Sequence, residues 1–423
     1  MEAVALVDGN NFYASCEQSI NPKLRKKPLV ILSNNDGCVI ARSAEARELR
    51  IKMGVPYFKI KERLKELDVV VLSSNYSLYG DMSRRLMNLL KKYCEEIEIY
   101  SIDEAFISIR RPNNNDLHPW ARALRTHIYQ NLCLTITIGI AENKVKAKLA
   151  NKLAKNFDFS AGIFDLVNIN NQNDYLKTIK IENIWGIGNQ TYKWLKRKGI
   201  KNANEFKEMD SYEIKKKLGI TGERIQLELK GYKCLPIKKT NQSKKEIRVS
   251  RSFGKSITRL EDLKQALAIY TIKAAEKMRM QNLQTSTVTI FTRTSHYSNL
   301  TYHKSSCRNL IEATNSTNII LKAVLELAEE IYHPEYKLAK AGVLMQNLTN
   351  CDHLQRSFDN DLSNNDLIKI RTLIRTIDSI NRKFKNESIT WGITKRTQSW
   401  RMKRDLLSST STTDIKKIPI III

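Results

Sequence analysis

The sequence predicts a multidomain protein that combines α/β and α+β units. Three observations lead there. At 423 residues with 42% hydrophobic content, the chain is too long for one compact core and ordinary for two to four. Residues 97–109 alternate apolar and polar on either side of an acidic pair, as two half-buried strands joined by a turn require. A later block, 246–350, repeats a strand-then-helix pattern.

The elements follow in order. Ala3-Val4-Ala5-Leu6-Val7 is an apolar run ending in Asp8 and Gly9. It suits a central strand whose C-terminal end presents Asp8. Residues 29–32 read as a buried strand, Asn35-Asp36-Gly37 as a tight hairpin signal, and 38–41 as the return strand. Residues 43–49 read as a helix capped by Ser43. A second helix spans 79–92, with Met82, Leu86, Leu89 and Leu90 on one side. In the acidic hairpin, Ile97, Ile99, Ala105, Ile107 and Ile109 supply the alternation around Asp103-Glu104. Adjacent carboxylates inside a strand would face opposite ways, and one would be buried at a cost of several kcal/mol. At the turn, both can face one point. With Asp8 they make three carboxylates, enough to hold two divalent ions about 3.5–4 Å apart; the plain alternative is a solvated turn.

A helix over 120–132 and a strand over 134–140 come next, then a basic helix ending near Lys155. Lys144, Lys146 and Lys148 read as solvated on it. These pieces predict an antiparallel sheet backed by two helices, a ferredoxin-like arrangement. Ile184-Trp185-Gly186-Ile187-Gly188, before a helix over 191–197, has the form of a helix-hairpin-helix turn, in which glycines let backbone N–H groups face a phosphate. Leu218-Gly219-Ile220-Thr221-Gly222 is a weaker second copy. Residues 231–245 form a basic linker. Strands over 247–253, 285–293 and 340–348 with helices over 260–280 and 318–331 predict a second sheet with two helices. Residues 366–384 read as one helix, with Ile368, Ile370, Leu373, Ile377 and Ile380 apolar.

Lysine and arginine outnumber acids 71 to 44, for a formal net charge of +27. The excess is spread along the chain and densest over 166–350, which suits a long polyanion better than a small acidic metabolite. A generally basic or ribosome-associated protein is the bland alternative. Seven cysteines form no C-x-x-C pair, and His296, His303 and Cys307 lack a zinc frame, so a reducing cytosol is expected. The opening apolar run is too short for a signal peptide, and the final 418–423 is too short to span a bilayer. The expected location is cytoplasmic.

Three strings resemble a known family. Asp8-Gly9-Asn10-Asn11-Phe12-Tyr13-Ala14-Ser15-Cys16-Glu17 and Ser101-Ile102-Asp103-Glu104-Ala105 look like the two palm motifs of the Y-family translesion DNA polymerases. Ser33-Asn34-Asn35-Asp36-Gly37-Cys38-Val39-Ile40-Ala41-Arg42-Ser43-Ala44-Glu45-Ala46 is similar to the UmuC branch, the catalytic subunit of bacterial polymerase V. The resemblance runs from Asp8 to about Thr413.

It implies a right-hand polymerase: a ferredoxin-like palm over 1–20 and 76–165, small fingers over 21–75, a helical thumb over 166–235, a linker over 236–245, an α/β little finger over 246–350 and a UmuC-type extension over 351–423. It implies that Asp8, Asp103 and Glu104 hold two Mg²⁺, with the Gly9 carbonyl completing one sphere. Tyr13 becomes the steric gate that blocks a 2′-hydroxyl, with Phe12 as packing neighbour. Arg47 and Lys155 fall where the family grips the triphosphate, although Ala44 stands where many relatives carry tyrosine. Ile40 and Ala41 line the surface under the nascent pair. Gly186, Gly188, Arg248, Arg251, Lys255, Arg293 and Lys304 are candidate DNA contacts. Gln355 and Phe358 fall in a clamp-binding peptide, with Ser357 in place of the usual leucine. Residues 390–392 and 399–404 resemble the UmuC-type tail, and Ser408-Ser409-Thr410-Ser411-Thr412-Thr413 replaces its Ser-Pro-x-Tyr-Thr-Thr string.

The implied activity is error-prone, template-directed lesion bypass in the SOS response, with nucleoid association during repair. The implied partners are primer-template DNA, dNTPs, a sliding clamp, a UmuD-type accessory dimer and a RecA-type filament, and no membrane. Two rivals stand beside it: a non-catalytic DNA-binding partner that kept the fold, and a palm-fold nucleotide cyclase or nuclease. The complete carboxylate set opposes the first, and the thumb-like hairpin with a second basic domain opposes the second.

Overall fold

The structure is a computed structural model. It describes residues 2–110, 116–157, 160–238, 244–295, 297–351, 364–384, 388–394 and 398–409. The chain divides into two compact units: one of residues 1–33, 37–241 and 405–423, the other of 34–36 and 242–404.

The first unit opens with β1 (Glu2–Gly9) and α1 (Phe12–Ile20). Then come β2 (Leu29–Leu32), β3 (Val39–Arg42), α2 (Ala44–Glu48), α3 (Tyr57–Glu66) and β4 (Val70–Ser73). The chain continues through α4 (Tyr76–Leu90), β5 (Ile97–Ile99), β6 (Glu104–Arg110), α5 (His118–Leu132), β7 (Ile136–Ala141), α6 (Lys144–Asn156) and β8 (Ile163–Asp165). Four helices close it: α7 (Gln172–Thr178), α8 (Asn189–Arg197), α9 (Ala203–Glu208) and α10 (Ser211–Leu229).

The main sheet has order β5-β6-β1-β7-β8. Its first four strands reproduce the ferredoxin-like order. The expected all-antiparallel sheet needs one correction: β8 adds at the edge parallel to β7. Alternation along the strands divides the core. Ala3, Ala5, Val7, Ala105, Ile107 and Ile109 face α1, α4 and α5, while Leu6 and Phe106 face α6 and the helical region beyond it. Gly139 on β7 sets how closely α6 lies. A Cβ there would come within 2.0 Å of the Asn151 backbone nitrogen and 2.5 Å of the Ala147 carbonyl oxygen. Only glycine lets the helix rest on the strand at that distance. Asn151 locks the helix in place by donating to the Thr137 carbonyl at 3.0 Å.

A three-stranded sheet of order β3-β2-β4 carries the short inserted module. The strands β2 and β3 pair antiparallel as the sequence suggests, and the Ser43 hydroxyl caps α2 by accepting from Ala46 N, but the expected tight turn is instead a longer connection over 33–38 that carries a 3₁₀ turn at Asn34–Asp36. The helix α3 and the parallel strand β4 carried no clear periodic signal. The expected second glycine hairpin at 218–222 is instead a break within α10, where Gly219 takes φ +66°.

The second unit contains β9 (Ile247–Ile257), α11 (Leu260–Arg279), β10 (Leu283–Thr294), β11 (His303–Thr314), α12 (Thr317–Ile331), β12 (Leu338–Asn350) and α13 (Asn364–Phe384). Its sheet has four antiparallel strands in order β11-β10-β12-β9. Sequence reasoning found three of them. It missed β11, an edge strand rich in exposed polar residues, which gives no apolar alternation to read. Arg279 on α11 holds α13 through a bidentate pair with Asp378, at 2.6 and 2.8 Å. Among the described residues, no helix is long and apolar enough to cross a membrane.

Candidate active site and nucleic-acid face

β1 and β6 lie side by side with Asp8 directly opposite Glu104. Asp103 occupies the turn before β6, and its carbonyl accepts from Gly9 N at 2.9 Å. A Cβ on Gly9 would stand 3.0 Å from the Phe12 ring and 3.6 Å from the Asp103 Cβ. Gly9 therefore lets the acidic turn and the start of α1 close on each other. The three predicted carboxylates share one end of the sheet, as expected from the apolar run before Asp8.

Each carboxylate meets a partner from the protein. Lys155 Nζ lies 2.7 Å from Asp8 Oδ2. Lys148 Nζ lies 3.3 Å from both Glu104 oxygens and 4.1 Å from the centre of the Tyr100 ring. Ser101 donates to Asp103 Oδ1 at 2.6 Å. Lys144, one turn earlier on α6, pairs with Glu98 at 2.6 Å. The reading of Lys144, Lys146 and Lys148 as solvated is corrected. Lys144 is 3% exposed and Lys146 7%, and Lys146 reaches Gln172 at 2.7 Å. Positions 144, 148 and 155 fall on one helical stripe. That spacing is the signal which could have been read: a row of cations set above a row of acids.

Asp8 is buried, and burial pushes its carboxyl up to about 6. Lys155 works against that shift, while the charges of Glu104 and Asp103 add to it. Among the described residues, no three His, Cys, Asp or Glu side chains stand in metal-ligating geometry; these carboxylates instead meet Lys155, Lys148 and Ser101. The donor set still fits a hard divalent cation. It is all oxygen, and a buried anion beside two more acids calls for positive charge, which lysine supplies here.

Beside the acids, α1 starts at Phe12. Phe12 is buried; Tyr13 is half-buried and stacks on Tyr79, with ring centres 4.4 Å apart and planes 13° from parallel. Tyr76 meets both rings edge-on at 6.2 Å. Burial first, then Tyr76 and Asp103, raise the Tyr13 hydroxyl. Tyr79 was not singled out by the sequence, where it stood only as the first residue of a helix.

Arg47 is exposed on α2. Ile40 and Ala41 are consecutive, yet both pack against the same apolar cluster. A break in register, with Ile31 opposite Ala41 and Leu32 opposite Val39, leaves Ile40 as the extra residue of a bulge and turns the pair to one side. Gly188 caps α8, and Gly186 takes φ +87°, where a Cβ would meet the Ile225 side chain at 2.6 Å.

In the second unit, Arg248, Arg251, Lys255 and Lys304 are exposed and Arg293 half-buried. Arg248 lies over the Phe291 ring at 4.6 Å. Burial, with Arg293, Arg248 and Arg251 gathered around it, lowers the Lys340 ammonium from its usual value. The sequence did not single out Lys340. Gln355 and Phe358 lie outside the described residues.

The fold is that of the Y-family polymerases: a Y-family DNA polymerase chimera of Dbh and Dpo4 superposes with a TM-score of 0.67 over 82% of this chain and 99% of its own, at 23% identity. Profiles of the impB/mucB/samB family and of its C-terminal domain match residues 7–152 and 244–358, and a domain of unknown function matches 371–421. The protein UmuC of Salmonella typhimurium is 38% identical over 97% of both chains. DNA polymerase IV 1 of Bacillus subtilis is 25% identical over 94% of both. The chain belongs to the impB/mucB/samB family, the UmuC branch of the Y-family DNA polymerases.

Proposed function

We propose that this chain extends a primer across damaged template, with Asp8, Asp103 and Glu104 as its catalytic carboxylates. The observation that carries the reading is the single sheet end at which these three acids meet, each countered by a cation or hydroxyl of the protein. Members of the family are nucleotidyltransferases that need a divalent metal; we take it to be Mg²⁺, two per site. The chemistry supplied by two bound Mg²⁺ is activation of the primer 3′-hydroxyl and stabilisation of the pyrophosphate that leaves.

The protein's own residues do the rest. Asp8 and Glu104 offer carboxylate oxygens from neighbouring strands, and the Gly9 carbonyl would complete one sphere. Lys155 serves as a placeholder cation on Asp8. Once the carboxylates are engaged elsewhere, its ammonium is released to hold β- and γ-phosphate oxygens, with Arg47 as a second cation. Tyr13, fixed against Tyr79, forms the floor under the incoming sugar and leaves no room for a 2′-hydroxyl. Ile40 and Ala41 form the surface under the nascent pair. A small fingers module grips that pair loosely, which admits damaged templates and lowers selectivity.

Primer-template DNA is bound without reading sequence: backbone N–H groups near Gly186 and Gly188, and Arg248, Arg251, Lys255 and Arg293 on the second sheet, meet phosphates. A UmuD-type accessory dimer, a sliding clamp at Gln355 and Phe358, and a RecA-type filament complete the proposed partner set.

The test is primer extension by the full chain with Mg²⁺ and each dNTP singly, on undamaged and abasic templates. Slow, distributive, error-prone incorporation that continues past the abasic site is expected. No incorporation on either template, even with clamp and accessory dimer added, would contradict the reading.

A further inference from the structure

The last described residues return to the first unit. Leu407 pairs in parallel with Ser73 at the end of β4, the outer strand of the three-stranded sheet. Ser73 N donates to the Leu406 carbonyl at 2.9 Å, and Leu406 N donates to Ser73 Oγ at 3.0 Å. This short strand addition delivers Ser408 to a defined place. Its hydroxyl accepts from Asn75 Nδ2 at 2.9 Å and donates to Glu17 Oε1 at 3.0 Å.

Glu17 is 0% exposed, and so is Tyr79, whose hydroxyl donates to the same oxygen at 2.8 Å. Burial raises the Glu17 carboxyl, and the hydrogen bonds from Tyr79 and Ser408 oppose that rise. No lysine or arginine pairs with Glu17 among the described residues; two hydroxyls satisfy one of its oxygens, and the other, Oε2, has no partner. Ser408 thus supplies one of the two hydrogen bonds this buried carboxylate receives. Glu17 sits one helical turn after Tyr13 on α1, and the Tyr79 ring is the surface on which Tyr13 stacks. Both ends of the Tyr13 support, its helix and its stacking partner, converge on the group that Ser408 holds.

We propose that Ser408 is a positioning residue for the sugar gate: through Glu17 and Tyr79, the C-terminal segment Leu406–Ser408 fixes Tyr13 and thereby sets discrimination between deoxyribo- and ribonucleotides. The proposal rests on the polymerase reading above. The segment is a built-in strut of the nucleotide pocket, although Ser408 and Glu17 stand 391 positions apart in sequence. Loss of the strut leaves Glu17 buried with one donor, so α1 and Tyr79 shift to rehydrate or re-pair it.

The experiment compares kcat/KM for a dNTP and its matching rNTP opposite one undamaged template base, using the full chain. Ser408→Ala is expected to lower the dNTP/rNTP selectivity about 5–10-fold, the scale of losing one ordinary intramolecular hydrogen bond. Ser408→Thr keeps the hydroxyl and restores it. Ser409→Ala, whose residue meets Asn75 through its carbonyl, leaves it unchanged. In a Tyr13→Ala background, Ser408→Ala produces no further loss, because there is no gate left to position. Selectivity within twofold of wild type in Ser408→Ala would overturn the proposal. So would an equal drop in the Tyr13→Ala background, which would mark general loosening. Hydrogen exchange of the α1 amides gives an arm that needs no activity: faster exchange over 12–20 in Ser408→Ala, relative to Ser409→Ala, is expected, and identical exchange would overturn the coupling. Absence of incorporation by the wild type would count against the polymerase reading, while the exchange arm would still decide the strut.

Discussion

The acidic edge of the first unit and the basic face of the second handle charge in opposite ways. At the edge, Asp8 meets Lys155, Glu104 meets Lys148 and Glu98 meets Lys144, so acids and cations alternate within a few ångströms. On the second sheet, Arg248, Arg251 and Arg293 gather around Lys340, and burial together with those like charges lowers the ammonium from its usual value. On the proposed reading, the acidic edge holds its charges ready behind internal partners, which can exchange when substrate arrives. The proposed binding face leaves like charges together, and on that reading the missing counter-charge comes from outside, as phosphate does.

Three substitutions sharpen that contrast. The largest effect is expected from Lys155→Ala. It strips Asp8 of its partner and, on the proposed reading, the triphosphate of a cation, and nucleotide incorporation should fall about 10²-fold or more. Steady-state kinetics on a short primer-template reads this, with binding of the duplex nearly unchanged. The double variant Arg248→Ala/Arg251→Ala should do the reverse. Single-turnover incorporation at saturating DNA stays near wild type, while the slope of log affinity against log salt shrinks by about 1.8, or about 0.9 for each phosphate no longer neutralised. A variant that loses turnover rather than salt dependence would erase the distinction between the two regions.

The smallest effect concerns Glu17, which belongs to neither pattern, since hydroxyls of Tyr79 and Ser408 meet it and the Cys16 thiol is its buried neighbour. Its carboxyl is raised in the folded state. The folded protein therefore binds this proton more tightly than the unfolded chain does, and stability from this group declines as pH climbs above the ordinary carboxylate range. Glu17→Gln removes that slope. Melting temperatures at pH 5 and pH 8 should differ more for wild type than for the variant.

Much of this was legible in the chain. The run before Asp8 and the alternation around Asp103-Glu104 place the acids correctly, because a period of two and a turn leave few alternatives. The lysine stripe was misread, since a lysine on a basic helix looks the same whether it meets solvent or an acid on the strand beneath. Gly139 decided that outcome by letting α6 lie close. β11 escaped because an exposed edge strand has no apolar face to betray it. The tail's hydrogen bond to Glu17 pairs residues 391 positions apart, and no local pattern encodes such a meeting.

The central claim is that the acidic edge performs the chemistry while binding resides elsewhere. Its most direct test is single-nucleotide incorporation by Asp103→Ala, measured beside its affinity for the same primer-template. The account predicts that incorporation vanishes and affinity stays within a few-fold of wild type. Incorporation retained at near wild-type rate would remove Asp103 from the mechanism and contradict the account.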